Sequence, residues 1–315
     1  MTQQSDRYAD LTPPFTWVAL GMALALFMGA SVAAADEWRV HPWTKAGDAT
    51  TLFAETRKLA SNGLPDGLIA ENSEHKDILS AWYSAPTTRY GHSILGDGIE
   101  AGALVVKLGT GETRTLKLPD SAVFEDRYPR LADLDGDGTT EVITIRSSLS
   151  HGAAVTVYGL DGDVLIEKAT TEFIGRSNRW LNIAGIARFS GTSGKEIAFV
   201  RTPHIGGTLF LYAYSNGQLR QTASLHGFSN HQIGSREMRL SAVVDIEGNG
   251  KMELALPSDD RSVLHIVGLA DGKLLEVGSA RLPGRIDKAI QVRGTGSDTR
   301  FVVGLDNSGI YEITR

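Results

Sequence analysis

One acidic stretch, Asp133-Leu-Asp135-Gly-Asp137-Gly-Thr139-Thr-Glu141, lies between two segments of β-strand character, residues 130–133 and 142–145. Oxygen-bearing side chains at positions 1, 3 and 5, a backbone carbonyl at position 7 and a carboxylate at position 9 can converge on one hard cation. An EF-hand loop requires a glutamate at position 12, where this chain has Thr144 inside a β-branched run. The stretch therefore predicts a calcium-type loop between two strands.

The same turn recurs along the chain. It aligns without gaps with residues 188–196 (Arg188-Phe-Ser190-Gly-Thr192-Ser-Gly194-Lys-Glu196) and with residues 245–253 (Asp245-Ile-Glu247-Gly-Asn249-Gly-Lys251-Met-Glu253). A degenerate copy begins at Ile290. Asp-Gly or Asn-Gly pairs at 161–162, 216–217 and 271–272 are typical of two-residue hairpin turns and have nearly the same spacing. Two markers with one period predict an internal repeat.

Each repeat has the pattern of four short strands. The second repeat is the template, with strands at Arg130–Leu134, Glu141–Arg146, Ala154–Tyr158 and Val164–Lys168. A first repeat begins near residue 67 without a metal loop, the third and fourth cover about 183–225 and 240–282, and the fifth has three strands from Ile290 to Arg315. Tandem units of four antiparallel strands predict an all-β fold, a β-propeller over residues 67–315.

The number of repeats favours five blades, since six or seven would need strands that the pattern does not contain. The fifth repeat lacks its last strand, and a lone segment, residues 36–66, precedes the first repeat. We therefore expect this segment to close the ring with an N-terminal strand near residues 50–60, which would remove the free sheet edges.

The loop at Asp133–Glu141 and its flanking strands resemble the FG-GAP and VCBS repeats of bacterial β-propellers, whose blades are related to those of the integrin α-subunit head. The resemblance covers about residues 67–315. It implies the propeller fold but no single function, because the family includes adhesion heads and carbohydrate-associated proteins. The match weakens along the chain, since Arg188, Ser190 and Thr192 cannot replace the metal carboxylates in the third repeat.

Composition limits the classes of function. The chain has 315 residues, of which 42% are hydrophobic, so it can bury a substantial core. Its net charge of −6 gives no sign of nucleic-acid binding. The chain has no cysteine, which excludes disulfides, a cysteine nucleophile and thiolate metal sites.

Residues 15–35 form an uninterrupted apolar stretch that ends in three alanines before Asp36. The small-residue ending predicts a secretory signal peptide over residues 1–35. The stretch is also long enough to span a bilayer as an uncleaved anchor. In both cases we expect a periplasmic or secreted protein, and after cleavage we expect no stable membrane insertion.

Propeller geometry sorts the loops between two faces. The acidic turns fall on one face, whereas the other face collects arginines, histidines and aromatic residues, which suit an anionic or glycan ligand. The predicted ligand-binding residues are Arg89, Tyr90, His92, His151, Arg179, Trp180, His204, His231, Arg236 and Arg261. The alternative is that these arginines pair with carboxylates of the next blade and that the histidines are solvated.

Two structural calcium sites are predicted from the acidic turns. The first would use Asp133, Asp135, Asp137, Thr139 and Glu141, and the second would use Asp245, Glu247, Asn249, Lys251 and Glu253. Another metal centre would require His92, His151, His204 and His231 to converge, although none of them share a short ligand spacing.

No catalytic signature is present. Asp97 and Glu100 are the one carboxylate pair near the basic face, either as an acid and base or as partners for Arg89. The sequence thus predicts a monomeric, non-catalytic propeller that binds an anionic glycan, an envelope component or a protein partner, and no nucleic acid. The alternatives are a hydrolase or lyase acting on a polysaccharide or phosphoester, and a scaffold without a small ligand.

Overall fold

The computed structural model describes residues 36–45 and 47–315. Within these ranges the chain is all-β, with twenty-two strands, one turn of α-helix and one 3-10 turn. The predicted leader, residues 1–35, lies outside the described residues. No helix in the described ranges is both long and apolar enough to cross a membrane.

The N-terminal segment contributes two short strands and the helical turn, namely β1 (Asp36–Glu37), β2 (Arg39–Pro42) and α1 (Ala49–Leu52). Asp48 caps α1, because its Oδ1 accepts a 2.9 Å hydrogen bond from the backbone N–H of Thr51. The buried side chain of Phe53 then packs with Ala289 and Val302. This apolar contact holds the segment against the last sheet of the chain.

The first two sheets each contain four antiparallel strands and are joined through one short strand. The first sheet consists of β3 (Ala70–Glu71), β4 (Ile78–Thr87), β5 (Glu100–Leu108) and β6 (Thr113–Lys117). After β7 (Ala122–Phe124), the second sheet consists of β8 (Arg130–Ala132), β9 (Glu141–Ser148), β10 (Gly152–Asp161) and β11 (Val164–Thr170). Phe124 pairs with Ala101 of β5, and Ala122 pairs with Ser148 of β9. Because β7 pairs on both sides, the two sheets form one continuous nine-stranded sheet.

The third and fourth sheets repeat the four-stranded antiparallel pattern. The third consists of β12 (Leu181–Ala187), β13 (Glu196–Arg201), β14 (Thr208–Ser215) and β15 (Gln218–His226). The fourth consists of β16 (Ala242–Val244), β17 (Glu253–Pro257), β18 (Val263–Ala270) and β19 (Lys273–Arg281). The N-terminal β1 adds to the fourth sheet as a strand parallel to β19.

The fifth sheet takes its fourth strand from the N-terminal segment. Its own strands are β20 (Gln291–Arg293), β21 (Arg300–Gly304) and β22 (Ile310–Thr314), with the 3-10 turn Gly296–Asp298 after β20. β2 pairs antiparallel with β22, from Arg39 opposite Thr314 to Pro42 opposite Tyr311. The prediction of this strand near residues 50–60 is therefore wrong. The four residues of β2 show almost no apolar alternation, because only Val40 packs against a core cluster.

The cores lie between consecutive sheets. One cluster joins the first sheet to the second, another joins the second to the third, and two more continue to the fourth and the fifth. Buried Trp38, between β1 and β2, packs its ring 5.2 Å from that of Phe301 in β21. Burial of apolar side chains between sheets, together with strand pairing within each sheet, accounts for the stability of the fold.

Two loops meet at one end of the sheets. The loop of residues 88–99 contacts the loop of residues 227–241, and the backbone N–H of Gly234 donates a 2.9 Å hydrogen bond to the carbonyl of Ile94. Gly96 has φ +100°, and a Cβ at this position would lie 2.8 Å from the Gly234 carbonyl oxygen, so the contact requires glycine. Leu95 and Met238 are buried in the same core cluster. The loops thus bring distant parts of the chain together beside the predicted ligand-binding residues.

Candidate functional site

The acidic loop between β8 and β9 is folded by its own carboxylates. Asp133 accepts hydrogen bonds from the backbone N–H groups of Gly136 and Gly138 at 2.7 and 3.0 Å. Asp137 accepts from the N–H and hydroxyl of Thr139 at 2.7 and 2.6 Å. The loop therefore keeps its shape through internal hydrogen bonds.

Three of the five predicted ligands of this loop converge. Carboxylate oxygens of Asp133, Asp135 and Glu141 lie within 4.8 Å of one another, whereas the carboxylate of Asp137 does not join the group. Burial, followed by the neighbouring Asp137, raises the pKa of Asp135. Burial also raises the pKa of Glu141 to about 7, although the backbone N–H of Leu134 opposes the rise. Such crowding of carboxylate oxygens suits a hard divalent cation, which would neutralise it.

The glutamate at the end of each acidic turn has a structural role that the sequence did not indicate. Glu141 Oε2 accepts a 2.8 Å hydrogen bond from the backbone N–H of Leu134. The equivalent bonds, 2.9 Å from Phe189 to Glu196 and 3.0 Å from Ile246 to Glu253, recur in the third and fourth sheets. We call these three residues the clamp glutamates. They close the turn even in the third sheet, where the metal carboxylates are missing.

The carboxylates of the second predicted calcium loop do not converge. Glu247 points to Arg315, at 3.1 Å, and the side chain of Asn249 accepts from the backbone N–H of Lys251. The ammonium group of Lys251 donates to the carbonyl of Leu269. Asp245 accepts from the backbone N–H groups of the turn, as Asp133 does in the first loop. Within the described residues this loop offers no site of three acidic ligands.

Four of the ten predicted ligand-binding residues are engaged elsewhere. Arg89 donates to the carbonyl of Ala122, with Asp120 at 3.4 Å. Arg236 pairs with Asp97 at 2.9 Å and with Asp66 at 3.4 Å. Tyr90 is buried, and its hydroxyl accepts from the backbone N–H of Asn178 at 3.0 Å. Exposed His151 contacts Ser148 and Ser150 within its own hairpin.

One cavity of about 180 Å³, which we call the Trp180 cavity, is lined by four of the predicted ligand-binding residues, His92, Arg179, Trp180 and His204. The rest of its lining consists of Ile94, Asn178, Thr202, Ile205 and Ile233. His92 is held from behind, because its Nδ1 lies 2.5 Å from Oε1 of the fully buried Glu125. The hydroxyl of Ser147 donates to the other oxygen of Glu125, at 2.5 Å. Trp180 is almost fully buried and donates its Nε1–H to the Glu125 carbonyl, so its ring cannot serve as an open stacking surface.

A second cavity of about 270 Å³ lies beside the first and shares His204 and Ile233 with it. We call it the Arg261 cavity. His231 and Arg285 also line it. Arg261 donates to the side-chain oxygen of Gln232 at 3.1 Å. Neither guanidinium forms an ion pair with a carboxylate within residues 36–45 and 47–315.

The charges around the Arg261 cavity leave its guanidiniums available. Burial, followed by the neighbouring Arg285 guanidinium, lowers the pKa of Arg261, and Asp306 and Asp287 oppose this effect. The carboxylate of Asp260 is already bound by Ser258 and Ser262, which lowers its pKa to about 2. The two arginines are therefore close enough to affect each other, and within the described part of the chain no carboxylate lies at hydrogen-bond distance from either guanidinium.

Backbone strain concentrates at the two cavities. Eight non-glycine residues in the described ranges have positive φ, and three of them, Asn178 (54°), Thr202 (50°) and Arg261 (63°), line the cavities. A β-branched residue such as Thr202 is a true outlier in this region. Such conformations cost on the order of 1–3 kcal/mol each and cluster at ligand sites.

The carboxyl pair Asp97 and Glu100 does not form an acid–base pair open to a ligand, and neither residue is a partner of Arg89. Asp97 is bound by Arg236, whereas Glu100 is buried. Burial, followed by the nearby Glu125, raises the pKa of Glu100 to about 9. The sequence gives no sign of the role of Glu125, because a single glutamate before the next turn has no distinguishing pattern.

A third cavity, of about 400 Å³, lies between the first strands of the sheets, and its ions are internally paired. Tyr128 lies between the guanidiniums of Arg57 and Arg130, at 3.9 and 4.3 Å from the ring centroid. Arg57 pairs with Glu55, and Arg130 pairs with the buried Asp126. Arg239, which also lines this cavity, pairs with Glu237, so among the described residues the arginines of this cavity offer no unpaired charge to a ligand.

No protein-family model matches the chain, and no curated protein matches it. A rhamnogalacturonan lyase of Bacillus licheniformis, PL11, is similar in structure over 85% of this chain and 50% of its own, with 16% identity and a TM-score of 0.48. The exotype rhamnogalacturonan lyase YesX is similar over 80% and 56%, with 15% identity and a TM-score of 0.42. BBS1N, solved in complex with ARL6DN, is similar over 79% and 66%, with 11% identity and a TM-score of 0.43. This chain thus spans half to two thirds of their length, and these distant similarities identify no activity for it.

Proposed function

We propose that this protein is an exported, non-catalytic binding protein that recognises an anionic, glycan-like partner at the Arg261 cavity. One observation carries the proposal: Arg261 and Arg285 line the same cavity, and neither has a carboxylate partner among the residues that the structure describes. Two guanidiniums left unpaired suit the bidentate recognition of a carboxylate, sulfate or phosphate group. Of the ten predicted ligand-binding residues, the proposal retains His92, Arg179, His204, His231 and Arg261.

Titration calorimetry tests this function with sulfate and with a galacturonate trisaccharide as probes. Arg261→Met and Arg285→Met should each weaken binding about tenfold or more, because a hydrogen bond to a charged group contributes about 1.5–3 kcal/mol. Arg220→Met is the control, since Arg220 lies on β15 and donates to Gln218. Absence of binding for both probes, or full binding by Arg261→Met, would overturn the proposal.

We propose that the five sheets close as the five blades of a propeller. Contacts between the first strands of consecutive sheets support this arrangement, since β16 touches both β12 and β20, and β8 touches β3. β2 supplies the strand that the fifth sheet lacks. The segment after α1 leads from Phe53, packed on the fifth sheet, to Leu59, which bridges to Leu68 beside the first sheet.

We also propose that Asp133, Asp135 and Glu141 hold a structural calcium ion. The convergence of their oxygens supports the site, and the ion would neutralise the crowded carboxylates there. The loop at 245–253 is not proposed as a site, since its carboxylates diverge. Export rests on the apolar stretch at residues 15–35, and N-terminal sequencing of the secreted protein should find Asp36 as the first residue.

A second candidate function is hydrolysis or elimination, favoured by the pairing of His92 with Glu125. A buried carboxylate on Nδ1 orients the ring, and Nε2 is then its only nitrogen left for a ligand in the Trp180 cavity. If the protein acts on a bound glycan, His92→Gln should abolish turnover while binding at the Arg261 cavity persists. Product formation that is unchanged in this variant would exclude His92 as the base.

A further inference from the structure

Two histidines, His204 and His231, lie where the Trp180 cavity meets the Arg261 cavity. One backbone carbonyl determines which of their ring nitrogens carry protons. His231 Nε2 lies 2.9 Å from the backbone oxygen of Ser235, and this oxygen can only accept a hydrogen bond. His231 Nε2 therefore carries a proton. His231 Nδ1 lies 3.0 Å from His204 Nε2, so the state of the second ring depends on that of the first.

Both rings are neutral. Burial, followed by the neighbouring His204, lowers the pKa of His231 to about 3. Burial, followed by the charge of Arg261, lowers the pKa of His204 to about 4. The backbone carbonyl of His231 opposes this effect, and His92 adds to it. In a neutral His231 with its proton on Nε2, Nδ1 is bare and must accept from His204 Nε2–H. Neutral His204 then has its lone pair on Nδ1, and no hydrogen-bond donor reaches this nitrogen within the described residues.

The surroundings of His204 combine three kinds of contact. The His204 ring lines both cavities, and Arg261 and Arg285 line the second. Ile205 and Ile233 flank the ring with side chains that are 62% and 64% exposed, unusual for isoleucine. The two cavities together fall in the size range of small-ligand sites, roughly 300–1,000 Å³. The two arginines, the unprotonated Nδ1 of His204 and the two exposed isoleucines thus lie in one groove, which the Trp180 cavity and the Arg261 cavity form together.

We propose that this groove binds a hydroxylated carboxylic acid, such as an acidic sugar residue, with its anionic group between Arg261 and Arg285 and a hydroxyl donating to His204 Nδ1. A bare imidazole nitrogen accepts from a hydroxyl but repels a carboxylate oxygen, so His204 selects for a donor next to the anion. The apolar C–H face of a sugar ring would pack on Ile205 and Ile233. This inference rests on the proposed anion binding and adds the class of ligand.

A pair of ring-sized acids tests the inference on the unmodified protein. Glucuronate carries ring hydroxyls, whereas cyclohexanecarboxylate has the same charge and a ring of similar size without them. We expect glucuronate to bind about tenfold more tightly, as one satisfied buried hydrogen bond predicts. Equal affinity for the two acids would overturn the hydroxyl selection but leave the proposed anion binding intact. Absence of binding for both acids, and for sulfate and the trisaccharide, would overturn both.

Substitutions then assign the selection to one ring. His204→Phe should lose the preference for glucuronate while cyclohexanecarboxylate still binds, whereas Arg261→Met should weaken the binding of both acids. His226→Phe is the control, because His226 lies on β15 and contacts Thr208 at 3.2 Å. A preference for glucuronate that survives in a folded His204→Phe protein would refute the role of His204.

Discussion

Asp135→Ala should abolish the stabilisation that we expect from calcium at the proposed site of Asp133, Asp135 and Glu141. Asp133 and Glu141 accept backbone hydrogen bonds and so fold the loop in addition to facing the cation position. The hydrogen bonds of the Asp135 carboxylate come from the backbone N–H groups of Asp137 and of Asp135 itself, and they do not cancel the rise in its pKa. Its removal therefore takes away one ligand and little of the loop structure. Without calcium, we expect the variant to unfold at nearly the same temperature as the unmodified protein.

The size of the calcium effect follows from mass action. At a calcium concentration of 100 times Kd, binding to the native state alone adds about 2.7 kcal/mol. Unfolding of about 280 residues carries an entropy of roughly 0.6 kcal/mol/K, at about 2.1 cal/mol/K per residue. We thus expect calcium to raise Tm by about 4–5 °C in the unmodified protein and by less than about 1 °C in Asp135→Ala.

Differential scanning calorimetry with calcium and with a chelator measures both shifts. The matched control is Glu247→Ala, which changes the same position of the corresponding loop in the fourth sheet. It removes an exposed contact with Arg315 that contributes at most about 1 kcal/mol, and it should leave the calcium shift unchanged. The reasoning is refuted if Asp135→Ala keeps the full shift or if Glu247→Ala loses it.

Three further predictions concern buried groups. The pKa of Glu100 is raised to about 9, so its contribution to stability is complete below about pH 4.5 and is lost as pH rises through about 9. Gln at this position does not titrate. The free energy of unfolding of Glu100→Gln, measured with urea, should therefore increase relative to that of the unmodified protein as pH rises from 5 to 9. Asp126→Asn should cost about 3–5 kcal/mol in the same assay, because it removes the buried charge partner of the partly buried Arg130; a cost below about 1 kcal/mol would contradict this. Trp38→Ala should cost about 3–5 kcal/mol if the N-terminal segment is part of the folded core, and an unchanged unfolding midpoint would show otherwise.

The four-stranded antiparallel pattern was predictable because it depends on local signals. Turn glycines, hairpin dipeptides and alternating apolar residues recur with one period, and they indicate the strands of the sheets apart from β1, β2 and β7. The strand at Arg39–Pro42 was not predictable, because four residues with one partly buried side chain leave no pattern. Its place is set by the unpaired edge of β22 rather than by its own composition.

The candidate site depended less on local pattern than on partners far away in sequence. Arg236 and Arg261 look alike in the sequence, yet Arg236 pairs with Asp97 in the loop between β4 and β5, whereas Arg261 pairs with no carboxylate within residues 36–45 and 47–315. His92 acquires its role from Glu125, thirty-three residues further on. The acidic turn shows a limit of local pattern. Its sequence marks the last glutamate as a metal ligand but gives no sign that this residue also closes the turn, as Glu196 does in a turn without metal carboxylates.

The strand β7 has a consequence for how the molecule unfolds. Its pairing with both β5 and β9 makes the first two sheets one continuous hydrogen-bonded unit, whereas the third sheet pairs strand to strand only within itself. Segments that share a hydrogen-bond ladder tend to open together. Amide protons of β4, β5, β9 and β10 should therefore exchange with solvent in a single cooperative step, while those of β13 and β14 exchange in a separate one.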